Sequence, residues 1–265
     1  GEIAVGDLNN DGVANTLLDG AIASFESLNQ SIIDNGFSDA TVALIPFSSS
    51  ATTAIETTVE ADLNNNGRPD VEDSLRSLSV RSSTNFEAAL QEAINFFSNA
   101  SEGNNQVFFV SDGVPNEFNF LDDADTLRDS NGINADIRTI GLGTGASLPD
   151  IDALDDGLTN NSAQRVLNPD ELTASLTASP VESADIARLE LAVNGTVVTS
   201  INGSDLTSTP FGLQYNTTIS GIDPALNNEI QATVITTDGA SSNVSTSQIV
   251  ESSAAGSVNF PDGRT

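Results

Sequence analysis

Among its 265 residues the chain has no Lys, His, Cys, Met or Trp, one Tyr, and only eight Arg to set against 38 acids. Without cysteine there is neither a disulfide framework nor a thiolate metal site. Without His, Lys or Cys, the usual general bases and activated nucleophiles are missing, and only carboxylates are left for catalysis. A formal charge of -30 excludes a nucleic-acid-binding surface and argues against docking on anionic lipid. Such self-repulsion weakens a compact state unless counter-ions relieve it, so divalent cations or a salty medium are expected. No apolar run approaches the roughly 20 residues that span a bilayer, which argues against direct membrane insertion. No signal-peptide pattern follows Gly1, so targeting information is expected elsewhere in a longer protein.

What is abundant is Asp, Asn and Gly in a particular order. Residues 62–73 read "DLNNNGRPDVED". Calcium takes six to eight oxygens, so a loop that wraps it presents short oxygen-bearing side chains at alternate positions and turns sharply between them. Asp62, Asn64 and Asn66 stand at positions one, three and five, Gly67 at six, the Arg68 carbonyl at seven, Asp70 at nine and Asp73 at twelve. The register is that of an EF-hand loop with Asp in place of the closing Glu, which resembles the dockerin loop. Residues 7–19, "DLNNDGVANTLLD", repeat it with Asp7, Asn9, Asp11, Gly12, the Val13 carbonyl and Asn15, but the closing acid, Asp19, comes one residue late. The competing reading is an ordinary Asn/Asp/Gly turn. A second match in so acidic a chain favours calcium, held structurally because each loop closes on itself.

Hydrophobic periodicity divides the rest. Leu18, Ile22, Phe25 and Ile32 make a helical stripe over 16–33; Phe86, Leu90, Ala93, Ile94 and Phe97 make another over 84–97, with Thr84 as a possible cap. "TVALIPF" (41–47) and "QVFFVSDG" (106–113) are continuous apolar runs, as strands covered on both faces are, and a weaker strand lies near 54–60. A helix at 121–132, a strand at 135–143, a short helix at 148–157, a strand at 163–167 and a closing helix at 168–176 follow. The alternation predicts an α/β fold with a doubly wound, mostly parallel sheet. Past residue 178 the texture becomes short Val-, Ile- and Thr-rich runs joined by Asn-Gly, Asp-Gly and Pro turns, with "VNGT" (193–196) the clearest hairpin signal. The expected domains are 1–178, a β-sandwich over 179–252, and a linker or the start of another module over 253–265.

Three stretches carry a family resemblance. "SSTNFEAALQEA" (82–93) resembles the "GGTN" loop and following helix of von Willebrand factor type A domains, "VFFVSDGVPN" (107–116) their fourth strand with its "SDG" turn, and "IRTIGLG" (137–143) their fifth strand. The resemblance covers about residues 14–176. It implies a metal-ion-dependent adhesion site, with Mg2+ or Ca2+ at the carboxyl ends of the strands, where open α/β sheets bind ligands. The matching ligands here are Thr84 and Asp112; as a helix cap and a turn residue respectively, both also have purely structural explanations. The family's "DxSxS" triplet after the first strand is absent, and "EIAV" (2–5) is short for that strand. Two readings are open. Either strand and triplet lie upstream of Gly1, with a calcium loop inserted before the helix, or Asp7, Asn9 and Asp11 replace the triplet. The first is favoured because the loop register already accounts for those residues. It leaves a sheet with its central strand missing, to be supplied from upstream or by another chain.

The second domain resembles the bacterial immunoglobulin-like modules of large secreted adhesins. Together these features imply an extracellular or cell-surface protein that binds a protein or glycan ligand, or copies of itself in a surface layer or filament. The rival expectation is a calcium-rigidified spacer without a ligand. A carboxylate-only hydrolase is a remote third, since nothing marks two acids as a facing pair, and the chain is not expected to be an enzyme.

Overall fold

The computed structural model describes residues 5–98, 105–116, 119–129, 132–154, 163–178, 185–209, 212–219, 222, 227–237, 239 and 241–249. The chain forms two compact units, Gly1–Ala178 and Ser179–Thr265. The expected linker over 253–265 and most of "EIAV" lie outside the described residues.

The first unit is a mixed α/β body. In order it contains α1 (Leu17–Asp34), β1 (Thr41–Leu44), β2 (Ile55–Thr58), α2 (Asp70–Arg76), α3 (Phe86–Phe97), β3 (Asn105–Ser111), α4 (Phe120–Arg128), β4 (Ala135–Leu142), α5 (Leu148–Asp152), β5 (Gln164–Val166) and α6 (Pro169–Thr177). β3, β4 and β5 form a parallel sheet in that order, while β1 and β2 form a separate antiparallel pair. β4 is buried at every position, as a strand covered on both faces must be. One of its faces, with Ala135 and Ile137, joins Phe86, Leu90, Phe109, Phe120, Leu127 and Ile151 in the main core. On the opposite face the Arg138 guanidinium donates to the carbonyls of Leu176 (3.1 Å) and Ala178 (2.6 Å) at the end of α6. Helices therefore flank the sheet on both sides.

α1 is set by a capping box in which Thr16 and Asp19 bond each other's backbone. Its glycine has a packing reason, because a Cβ on Gly20 would lie 2.7 Å from Pro169 Cγ, so the first turns of α1 and α6 meet there. On its other side α1 meets α2, where Arg76 pairs with Glu26 (2.5 and 2.9 Å) and Asn29 donates to Glu72 (3.1 Å) and to the Val59 carbonyl (3.0 Å).

Several boundaries differ from the sequence reading for local reasons. β1 ends at Leu44, shortly before Pro46, whose nitrogen has no hydrogen to give a ladder. α4 stops at Arg128 instead of reaching Gly132, because Asp129 leaves the helical conformation (ψ 113°) and its carbonyl accepts from Gly132 and Asn134 in a turn. α5 ends at Asp152; the last residues of the helix expected over 148–157 lie outside the described residues. The cap of α3 is Asn85, whose side chain accepts from Ala88 N, and not Thr84. α2 was not expected at all. Its first turn carries Asp70, Glu72 and Asp73, acids that suit a helix N-terminus as well as a metal.

The second unit is antiparallel. β6 (Ile186–Val193), β7 (Thr196–Asn202), β10 (Asn227–Thr236) and β11 (Ser241–Ile249) form a sheet in the order β11-β10-β6-β7, and β8 (Thr207–Thr209) pairs with β9 (Gly212–Gln214). Asn194 and Gly195, both at positive φ (50° and 77°), turn the β6–β7 hairpin, as a two-residue turn matched to strand twist requires. Leu191, Ile201 and Ala232 form its small core under Leu206 and Ile219.

Candidate functional site

The two acidic loops have one conformation. Asp62 accepts from the amides of Asn66 (3.0 Å) and Gly67 (2.9 Å), and Asp7 accepts from those of Asp11 (3.1 Å) and Gly12 (3.0 Å). The Asn66 side chain accepts from Arg68 N (2.8 Å) as Asp11 accepts from Val13 N (2.9 Å). Asp70 N donates to Ala61 O (2.7 Å) as Asn15 N donates to Gly6 O (2.8 Å). Even the left-handed residues coincide, Asn10 and Asn65 both at φ 57°, Gly12 at 92° and Gly67 at 82°.

They part at position nine. In the second loop Asp70 already begins α2, and its carboxylate accepts from Leu63 N (3.0 Å). In the first, Asn15 takes a left-handed φ of 62°, and Thr16 is interposed as the α1 cap. The extra residue explains why the closing acid is late. Asp19 accepts from Leu8 N (2.7 Å), the part played by Asp70 in the other loop, and from the amide (2.8 Å) and hydroxyl (2.7 Å) of Thr16. Asp19 is fully buried. Burial alone would raise its pKa, but the donors from Thr16, Leu8 and Asn9 together outweigh it and hold the carboxyl below its ordinary range.

In the second loop the candidate ligands converge. Asn64 and Asn66 donate to the Asp73 carboxylate (2.8 and 2.6 Å), Asn64 also reaches Asp70 (3.3 Å), and Arg68 pairs with the other Asp73 oxygen (3.0 Å). The Asn64 and Asn66 amides, then Arg68, depress the Asp73 pKa. Rotating either amide by half a turn presents oxygen where nitrogen now points, which is how the same residues would face a cation. The donors suit calcium, which accepts amide and backbone carbonyl oxygens beside carboxylates. Among the described residues no three His, Cys, Asp or Glu side chains are grouped to hold an ion by themselves, so amides and carbonyls are needed in either loop.

The second candidate lies where the strands of the parallel sheet end. Asp112 follows β3 and is exposed; Thr84 precedes α3. A Cβ on Gly113 would lie 2.5 Å from Thr84 Oγ1, so the two turns are in contact through a position that only glycine leaves open. Asn116 clamps them. Its side-chain oxygen accepts from Thr84 N (2.7 Å) and Ser83 Oγ (2.8 Å), and its backbone N–H donates to the Thr84 carbonyl (2.8 Å). Ser83 is held at φ 86°, a conformation that side chains disfavour and that neighbouring contacts must sustain. Asn85 N donates to Ser48 O (2.7 Å), bringing in the serine loop after β1. Gly145 faces the Asp112 carbonyl, and Ser147 N donates to Gly113 O (3.1 Å), so the exit of β4 closes the rim. Arg165 fastens that exit by donating to the carbonyls of Gly143 (2.5 Å) and Ala146 (2.9 Å). The sequence reading named Thr84 and Asp112 but missed Ser83, Asn116 and Arg165, whose roles depend on residues distant in the chain.

No family model matches the chain, and no curated protein matches it. Solved structures similar to it include proximal thread matrix protein 1 from the mussel byssus, in a form with a zinc-occupied MIDAS motif (18% identity, TM-score 0.46); the match covers 60% of this chain and 40% of that one. A von Willebrand factor type A protein from Catenulispora acidiphila matches at 11% identity and TM-score 0.48, over 88% of this chain and 63% of that one. Manganese-loaded TRAP protein from Plasmodium vivax matches at 16% identity and TM-score 0.43, over 87% of this chain and 86% of that one. The chain thus spans less than half the length of the byssus protein.

Proposed function

We propose that the α/β unit is a non-catalytic, divalent-cation-dependent binding module of an extracellular or cell-surface protein, with two structural calcium loops and a partner-binding rim, followed by an immunoglobulin-like sandwich. The observation that carries this reading is the contact of Thr84 Oγ1 with the Gly113 turn beside Asp112. With Asn85 as the cap of α3, helix capping no longer accounts for Thr84, and its hydroxyl lies against the turn that carries the exposed Asp112. One hydroxyl and one carboxylate fill only part of the coordination sphere of Mg2+ or Ca2+; water and an acidic group of a protein or glycan partner supply the rest. Exposed apolar side chains near the rim, Val114 (56%) after β3, Leu167 (54%) after β5 and Leu17 (48%) beside Gly143, are surface that a partner would cover.

The scarcity of acids among the described residues of the rim favours a second reading, a spacer or filament subunit rigidified by calcium at Asp7–Asp19 and Asp62–Asp73 alone. Manganese titration of the intact chain, of Asp112→Ala and of Asp62→Ala separates the two. The binding-module reading expects three sites in the intact chain and the loss of a different one in each variant. It also expects capture of carboxylate-bearing peptides from a displayed library in Mg2+ but not in EDTA, abolished by Asp112→Ala. If Asp112→Ala changes neither metal number nor capture, the rim is not a metal site and the spacer reading stands.

A further inference from the structure

Resting on the reading of residues 62–73 as a calcium loop, we propose that the Arg68 side chain competes with calcium there and sets the calcium level at which that loop fills. Arg68 stands at position seven, where the loop offers its carbonyl, and its side chain turns to Asp73, the closing acid. Nη1 bonds one Asp73 oxygen (3.0 Å), while the Asn64 and Asn66 amides bond the other (2.8 and 2.6 Å). Both oxygens of the closing ligand are thus engaged from within the loop.

The three donors are not equivalent towards a metal. An Asn amide carries an acceptor as well as donors, so half a turn converts the residue that bonds Asp73 into a ligand. A guanidinium has N–H groups and no acceptor. It cannot be turned into a ligand, and beside a divalent cation it is a like charge. Arg68 must therefore leave Asp73 when the ion arrives, and the apparent affinity is lowered by the fraction of chains in which the pair is closed.

The way out is open. The side chains of Arg68 and Asp73 are 41% and 27% exposed, so the guanidinium can move into water without leaving a cavity. The backbone need not follow it. Arg68 N donates to Asn66 Oδ1 (2.8 Å), and Pro69 restricts the residue before it to extended conformations whatever its side chain. The position-seven carbonyl therefore keeps its place when the side chain leaves.

The first loop has no such device. Residues 7–19 contain Asp7, Asp11 and Asp19 but no base, and Val13 stands at position seven; residues 62–73 contain Asp62, Asp70, Glu72 and Asp73, with Arg68 as their one base. The second loop has one acid more than the first and a cation of its own to offset it.

In an Asp7→Ala background, which takes the first loop out of the titration, calorimetry with calcium follows the second loop, and adding Asp62→Ala identifies the heat that belongs to it. Arg68→Gln should bind calcium there about three- to tenfold more tightly at low ionic strength. The gain should shrink as NaCl is raised, because the broken pair is exposed and screened. Arg68→Lys keeps the charge and should stay close to the parent. In the otherwise intact chain, Arg68→Gln should melt about 1–3 °C below the parent in EGTA and no lower than it in saturating calcium. If Asp62→Ala removes no calcium site, the calcium reading of this loop fails and the competition with it. If it removes one, yet Arg68→Gln binds no more tightly, gains equally at all salt concentrations, or is matched by Arg68→Lys, the loop stands as a calcium site and the competition is refuted.

Discussion

Asn116 shows how much of the rim depends on a residue that need not touch an ion. Its side-chain oxygen holds Thr84 N and the hydroxyl of Ser83, which keeps a left-handed φ, while its backbone N–H bonds the Thr84 carbonyl. Asn116→Ala should therefore weaken metal binding at the rim by about 10–100-fold, as loss of an orienting partner does elsewhere, while both acidic loops bind as before. Calorimetric titration with Mn2+ checks it; equal affinity in the two proteins would mean that Thr84 is held by other contacts. Asp19 is the buried counterpart in the first loop. Its folded pKa lies below the ordinary value of 3.8, so its contribution to stability is present above that value and is lost as pH falls through the folded one. Asp73 acts in the same direction, whereas burial pushes Glu72 up, so its ionisation opposes folding as pH rises. Asp19→Asn should cost about 1–3 kcal/mol at neutral pH, from donors left badly matched in a buried site. It should also flatten the acid limb of the stability curve; parallel urea-derived curves for the two proteins between neutral pH and pH 3 would refute this.

At the scale of elements, the contact between the Gly113 turn and the start of α3 makes a paired prediction. Gly113→Ala drives a methyl into Thr84 Oγ1, 2.5 Å away, and should cost about 1–3 kcal/mol. Adding Thr84→Ala should restore most of the melting temperature but not metal binding at the rim; additive losses would show that the turns do not meet. The apolar runs at 41–47 and 106–113 and the stripe of α3 were legible in the sequence because burial on one or two faces writes itself into residue order. The "VNGT" hairpin was legible because its turn needs two positive φ angles. The choice of Asn85 over Thr84 as cap was not legible, since both side chains can cap and only the distant Asn116 and Gly113 decide which does. α2 was hidden because Asp70 and Asp73 fit a loop and a helix start equally well. The clamp at Asn116 and the fastening by Arg165 are tertiary contacts with no periodicity to reveal them.

For the whole molecule the dominant fact is a charge of -30. Calcium in the two acidic loops would brace α1 at two places, because the first loop leads into its start through the Asp19 cap and the second leads into α2, whose Glu72 and Arg76 bond Asn29 and Glu26 further along α1. General screening by salt relieves repulsion as well, so the specific effect must be read at matched ionic strength. The direct measurement is scanning calorimetry in calcium and in EGTA, with NaCl adjusted to equal ionic strength. A hundredfold excess of calcium over its dissociation constant stabilises by about 2.7 kcal/mol per site, and each kcal/mol moves a unit of this size by roughly 2–4 °C. The transition of the α/β unit should therefore fall by about 5 °C or more on chelation, and that of the β unit should stay where it was. If both transitions are the same in calcium and in EGTA, the loops do not hold calcium and the account of this protein as a cation-dependent module is wrong.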